Sequence, residues 1–227
     1  MLFGEIVEPS TRAFILEEDL DALPEYKGPV FQWDGDSKAP ETISKLIFAD
    51  SPKVLQICQN ITKSGKTIAE IKDEGILICK SGDNYLVLYK GVSKNAVIGE
   101  IVDVLTPWIK AAKEVHCITT ALTSSFQPSE CIDTSTVTFT KCLTNLESVP
   151  FNFCDRLQAP NLVNGFGANV LSYCVHNALK ASLWIIYSDN LPLDSLNGAE
   201  LVRLFKSLGF FVNADFKVDS SSSNLYM

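Results

Sequence analysis

Ser182-Leu183-Trp184-Ile185-Ile186-Tyr187 constrains this chain more than any other stretch. Five of the six positions are bulky and apolar, without alternation. An extended strand of that kind must be covered on both faces, which makes it a central strand of a sheet flanked by other elements. It follows the clearest amphipathic pattern in the chain after a minimal turn. Over Gly167–Lys180, the residues Ala168, Val170, Leu171, Cys174, Val175, Ala178 and Leu179 form one helical stripe. Beyond the strand, Asp194 or Ser195 caps a second helix with apolar positions at 196, 199, 201, 202, 204, 205 and 208. Gly209 ends it and Phe210-Phe211-Val212 anchors the end of the domain. This alternation predicts an α/β domain with a mostly parallel sheet and helices on both faces.

The first half is less regular. Phe3 to Val7 is a short apolar stretch, and the acidic and proline-containing residues 8–45 read as mostly loop. Lys53 to Ile61 reads as a first strand. Ile76–Cys79 and Tyr85–Tyr89 flank a turn cluster, Ser81-Gly82-Asp83-Asn84, and predict a hairpin. Ala96–Ala112 carries helical spacing, interrupted or kinked at Pro107. Val115–Thr120 predicts a strand, 121–135 a loop, and the alternating Thr136–Thr140 a half-buried strand. Residues 145–166 are irregular. The whole divides into a domain over 1–218 and a C-terminal tail over 219–227.

Hydrophobic residues make up 46% of the chain and charged ones 20%, a globular composition. A net charge of −8 without a basic stripe argues against nucleic acid and anionic membrane as partners and points to a basic protein surface. No stretch approaches the ~20 apolar residues of a membrane span, and Met1-Leu2-Phe3-Gly4-Glu5 lacks the basic region of a signal peptide. Cys58, Cys79, Cys117, Cys131, Cys142, Cys154 and Cys174 are scattered without a C-x-x-C pair and read as buried, reduced thiols of a cytosolic or nuclear protein.

Motifs that carry chemistry are scarce. Asn60 to Thr67 approaches the phosphate-binding pattern G-x-x-x-x-G-K-T, with Gly65-Lys66-Thr67 intact and Asn60 in place of the first glycine. Asp189 after Ile185-Ile186-Tyr187 would be its metal-binding strand end. His116 lies in an apolar strand. His176 stands two residues from Cys174, a spacing that points the two side chains apart on a helix. Trp33, Trp108 and Trp184 read as core. The predicted protein is not an enzyme and carries no cofactor or metal.

The tail contrasts with this. Ser220, Ser221, Ser222, Ser223 and Asn224 cannot build a core and should form a solvated, flexible arm, yet they lead to Leu225-Tyr226-Met227. An aliphatic side chain, a tyrosine and a free carboxylate on a mobile arm suit insertion into a partner's pocket. The plain alternative is a tail that folds back on its own domain.

Three stretches together resemble the animal proteasome assembly chaperone 1 family. They are Leu2-Phe3-Gly4-Glu5-Ile6-Val7, then Leu157-Gln158-Ala159-Pro160-Asn161-Leu162-Val163 running through Ala168–Cys174 into Ile185–Asp189, and Ser223-Asn224-Leu225-Tyr226-Met227. The resemblance implies a single three-layer α/β/α domain without catalysis, paired with proteasome assembly chaperone 2. It implies a role in assembling the seven-membered α-ring of the 20S proteasome. It also implies a hydrophobic-Tyr-X tail, Leu225, Tyr226 and Met227, that enters pockets between adjacent α subunits and pairs its carboxylate with a pocket lysine. Two other readings stand beside it: a nucleotide-binding protein using Gly65-Lys66-Thr67, and a ligand for a PDZ domain through Leu225-x-Met227.

Overall fold

The computed structural model describes residues 28–91, 95–128, 138–195 and 197–210. Nine strands form one sheet: β1 (Asp34–Gly35), β2 (Ile43–Ala49), β3 (Lys66–Ile71), β4 (Ile76–Ser81), β5 (Asn84–Tyr89), β6 (Ala112–Leu122), β7 (Phe139–Thr144), β8 (Asp155–Arg156) and β9 (Ala181–Ser188). Four α-helices accompany them: α1 (Pro52–Ser64), α2 (Asn95–Ala111), α3 (Phe166–His176) and α4 (Ala199–Ser207). The strand order is β1-β3-β4-β5-β2-β6-β9-β7-β8.

The sheet is mixed, which corrects the expectation of a mostly parallel one. Pairs β5–β2, β2–β6, β6–β9 and β7–β8 are parallel, whereas β1–β3, β3–β4, β4–β5 and β7–β9 are antiparallel. Connection length decides this. The link from β5 to β6 contains α2, long enough to carry the chain back over the sheet. The hairpin β4–β5 turns on Gly82-Asp83 between the paired Ser81 and Asn84. So short a turn can only reverse the chain, and Gly82 takes the φ of +61° that primed hairpin turns require. The predicted hairpin is therefore present in its predicted place.

Lys53–Ile61, expected as a strand, lies in α1. Pro52 occupies the first turn, where its missing N–H costs nothing, and buried Val54, Ile57, Cys58 and Ile61 repeat at helical spacing. The first core strand among the described residues is instead β2, whose Ile43 to Lys45 fall within the stretch expected to be loop. Strand β7 begins three residues later than predicted. Helix α2 runs through Pro107, and strands β6 and β9 match the apolar runs that predicted them. Helix α3 stops at His176, so Ala178 and Leu179 sit in the turn beyond it and Val175 is about half exposed. Ala178 adopts φ +54° there, and the Leu179 N–H returns to Cys174 O at 2.9 Å. Helix α4 starts at Ala199 rather than Asp194, because Asp194 and Asn197 bind each other's backbone N–H through their side chains, both at 2.8 Å.

Side chains of the central strands alternate between two apolar clusters. Leu46, Phe48, Val115, Cys117, Leu183, Ile185 and Tyr187 join residues of α2 and α3 in one. Ile47, Ala49, Ile118, Trp184 and Ile186 join residues of α1 and α4 in the other. Every residue of β9 is buried, as its composition requires. Trp108 and Trp184 are fully buried and Trp33 packs partly buried against the first cluster. Helix α3 approaches the sheet at Gly167, where a Cβ would meet Leu183 at 3.1 Å and Cys117 at 3.2 Å. No described helix is long and apolar enough to cross a membrane. The Phe166 ring packs 4.7 Å from Tyr89 and 5.7 Å from Phe48. Phe166→Ala should therefore destabilise the fold by about 3–5 kcal/mol in urea unfolding, with little change in the slope.

Candidate functional site

The predicted partner-binding residues Leu225, Tyr226 and Met227, and the arm Ser220 to Asn224, lie outside the described residues. The structure describes the chain as far as Phe210, just past the end of α4. At the end of α4 the Phe210 N–H donates to Phe205 O at 2.9 Å and the Gly209 N–H to Lys206 O at 3.0 Å. Phe210 is buried, with its ring edge-on to Phe205 at 6.1 Å. Lys45 Nζ donates to Leu208 O at 3.3 Å, tying this helix end to the beginning of β2. The last described residues thus lie beside the amino end of β2. Of the expected Phe210-Phe211-Val212 anchor, Phe210 holds its place, and the other two residues fall outside the described ones.

The near phosphate-binding pattern does not assemble. Asn60 to Ser64 form the last turns of α1, Gly65 caps it, and Lys66 and Thr67 open β3. The Gly65 N–H is occupied by Ile61 O at 3.0 Å, and a Cβ there would lie 2.8 Å from Lys80 O. A phosphate cradle needs a strand, a turn of free N–H groups and then a helix. Here the order is helix, cap, strand. Asp189 is likewise engaged: Lys53 Nζ lies 3.5 Å from its carboxylate and donates to its carbonyl at 2.7 Å and to Ser188 Oγ at 2.9 Å. Six of the seven cysteines are described, and all are free and buried; Cys131 lies outside. Among the described residues no cluster of histidine, cysteine and carboxylates could hold a metal. Cys174 is buried whereas His176 at the helix end is exposed, as their spacing predicts.

Sequence reasoning missed the polar groups at the two edges of the parallel strands. At the carboxyl edge Asp50 Oδ2 accepts the Gly167 N–H at 2.9 Å, at the start of α3, and burial pushes its carboxyl above the usual range. At the amino edge His116 is buried on β6, opposite Ile47 of β2 and Ser182 of β9. Trp184 Nε1 donates to His116 Nδ1 at 3.4 Å, and Glu114 Oε2 stands 3.6 Å from Nε2. Burial, opposed by the Glu114 carboxylate and reinforced by the Lys45 ammonium, lowers the His116 pKa to about 4. Asp50 and Gly167 are 117 positions apart, and His116 and Trp184 are 68 apart, so no local spacing announces either contact.

His116 gives the protein an acid limb. Its folded pKa lies below the ~6.5 of an unfolded chain, so the fold favours neutral imidazole. That stabilisation is complete above about pH 6.5 and is lost as pH falls towards 4, by up to about 3 kcal/mol. Burial of Asp50 acts in the opposite sense, favouring its protonated form as pH falls. The difference in unfolding free energy between wild type and His116→Gln should therefore shrink across pH 6.5 to 4. A constant difference over that window contradicts the assignment.

Comparison with known proteins gives a consistent picture. The sequence has no match among curated proteins. A protein of unknown function from Thermoplasma acidophilum superposes with a TM-score of 0.57 at 13% identity, covering 77% of this chain and 80% of that one. From Pyrococcus furiosus, an archaeal homolog of proteasome-assembly chaperone superposes at 0.56 with 12% identity, over 78% of this chain and 82% of its own. An archaeal proteasome activator from the same organism also superposes at 0.56, with 10% identity, over 81% and 91%. At such identities these likenesses establish a shared fold. The sequence itself matches the family model described as proteasome assembly chaperone 4 over residues 103–222, from within α2 through α4 and beyond. That span is 120 of 227 residues and includes both central strands β6 and β9, so the chain belongs to the proteasome assembly chaperone 4 family.

Proposed function

We propose that this protein is a non-catalytic chaperone of proteasome assembly. The family match over residues 103–222 carries the reading. The fold shared with an archaeal chaperone homolog and an archaeal proteasome activator supports it. Within this proposal the chain is the chaperone 1 type member and pairs with proteasome assembly chaperone 2. Its sheet is the middle of a three-layer domain, and it works in the cytoplasm or the nucleus. It binds 20S α subunits and their ring, holding them against wrong association while the ring is completed.

The tail is the contact we assign to the ring. Leu225, Tyr226 and Met227 enter a pocket between α subunits, with the Met227 carboxylate on a lysine and the Tyr226 hydroxyl on a backbone group. Tyr226 lies sixteen residue steps beyond buried Phe210. At ~3.3–3.6 Å per residue they reach at most about 55 Å, enough to enter a groove beneath a docked domain. Tethering makes insertion effectively intramolecular, so the tail need not bind strongly alone. Tyr226→Ala should cost about 2–4 kcal/mol in affinity for α subunits, as anchoring aromatics do. A residue added after Met227 should cost a comparable amount, and neither change should lower the melting temperature of the free protein. Affinity capture of α subunits by tagged wild type and both variants measures this. Unchanged capture by both sinks the tail assignment, a lowered melting temperature favours the fold-back alternative, and capture of PDZ-domain proteins instead of α subunits moves the tail to the other reading.

A further inference from the structure

A pocket of about 120 Å³ opens at the amino edge of β2, β6 and β9, bounded by Lys45, Glu114, His116, Lys180, Pro150 and Phe151. Its polar groups are unbalanced in a particular way. The His116 ring accepts a hydrogen bond at Nδ1 from Trp184 Nε1, so in the neutral imidazole the proton sits on Nε2. That Nε2–H is buried, and no acceptor lies within full hydrogen-bond distance of it. Glu114 Oε2 makes only a long contact with it, at 3.6 Å, from a side chain about half exposed to solvent. A buried donor left unpaired costs about 1–3 kcal/mol. The charged rim is two lysines against one glutamate, an excess of one positive charge. Lys45 spends one of its three N–H donors on Leu208 O and keeps two. Phe151, stacked on Trp184 at 5.0 Å, and Pro150 supply an apolar wall.

We propose that this pocket binds one carboxylate group, which accepts the His116 Nε2–H and is neutralised by Lys45 and Lys180 while Glu114 turns out to solvent. The volume admits a carboxylate and one or two methylenes, which fits a short free carboxylic acid or the side chain of an acidic residue on a protein. The two sources share one chemistry at the site. The inference is independent of the tail and of α-subunit binding, since it rests on the described domain alone.

The test is titration of the full chain, with ¹⁵N-labelled histidine, at pH 7.5 with sodium acetate and separately with N-acetyl-glutamate amide. Sodium chloride at equal ionic strength is the control. Saturable movement of the His116 Nε2 resonance is the expected result. Lys180→Ala should weaken it at least fivefold, and Glu114→Gln should strengthen it, with both variants folding normally because both positions are exposed. Saturation by acetate identifies a free-acid site. Saturation by the glutamate derivative alone identifies a protein side chain as the ligand. No saturable shift with either probe, or equal affinity in Lys180→Ala, overturns the proposal and leaves a pocket that holds water.

Discussion

The complete burial of β9 between β6 and β7 organises the molecule. All eight of its residues are inaccessible, so each face of the strand needs its own cover. Leu183, Ile185 and Tyr187 receive it from the cluster built with α2 and α3, and Trp184 and Ile186 from the cluster built with α1 and α4. Burying one Leu, Ile or aromatic side chain contributes about 1.5–3 kcal/mol, and few other strands of the sheet carry so many in succession. The parallel strands β6 and β2 beyond it extend both clusters.

Parallel strands end in register, and this concentrates polar groups at two edges. At the carboxyl edge Asp50 holds the start of α3, and Lys53 joins the start of α1 to the end of β9. These contacts tie helices to strand ends. At the amino edge Lys45 ties down the end of α4, and His116 contributes a buried imidazole against Trp184. These contacts fix both edges of the central parallel strands against the helices.

Much of this was legible in the sequence wherever a segment's own pattern decides its state. The apolar run at 182–187 can only be a two-faced strand, and the run Ile76–Cys79 and its partner flank a turn that only reverses. Lys53–Ile61 failed because Val54-Leu55-Gln56-Ile57-Cys58 is apolar enough for either period. Pro52 and the distance from Val54 to Ile61 favour the helix. β2 was hidden because Ile43 to Lys45 follow a proline-bearing stretch that reads as loop. The start of α4 was misplaced because Asp194 is a good cap that instead closes a turn with Asn197. The polar edges had no local signal at all, since their partners meet only after the sheet forms. The tail reading rests on sequence contrast alone, a tyrosine flanked by apolar residues after four serines, and falls outside the described residues.

Hydrogen–deuterium exchange of the protein, free and bound to 20S α subunits, tests the central claim most directly. If a rigid domain presents a binding tail, binding slows exchange in residues 220–227. Amides of β2, β6 and β9, already slow in the free chain, stay unchanged. Unchanged exchange in 220–227, with new protection confined to the folded domain, contradicts the account.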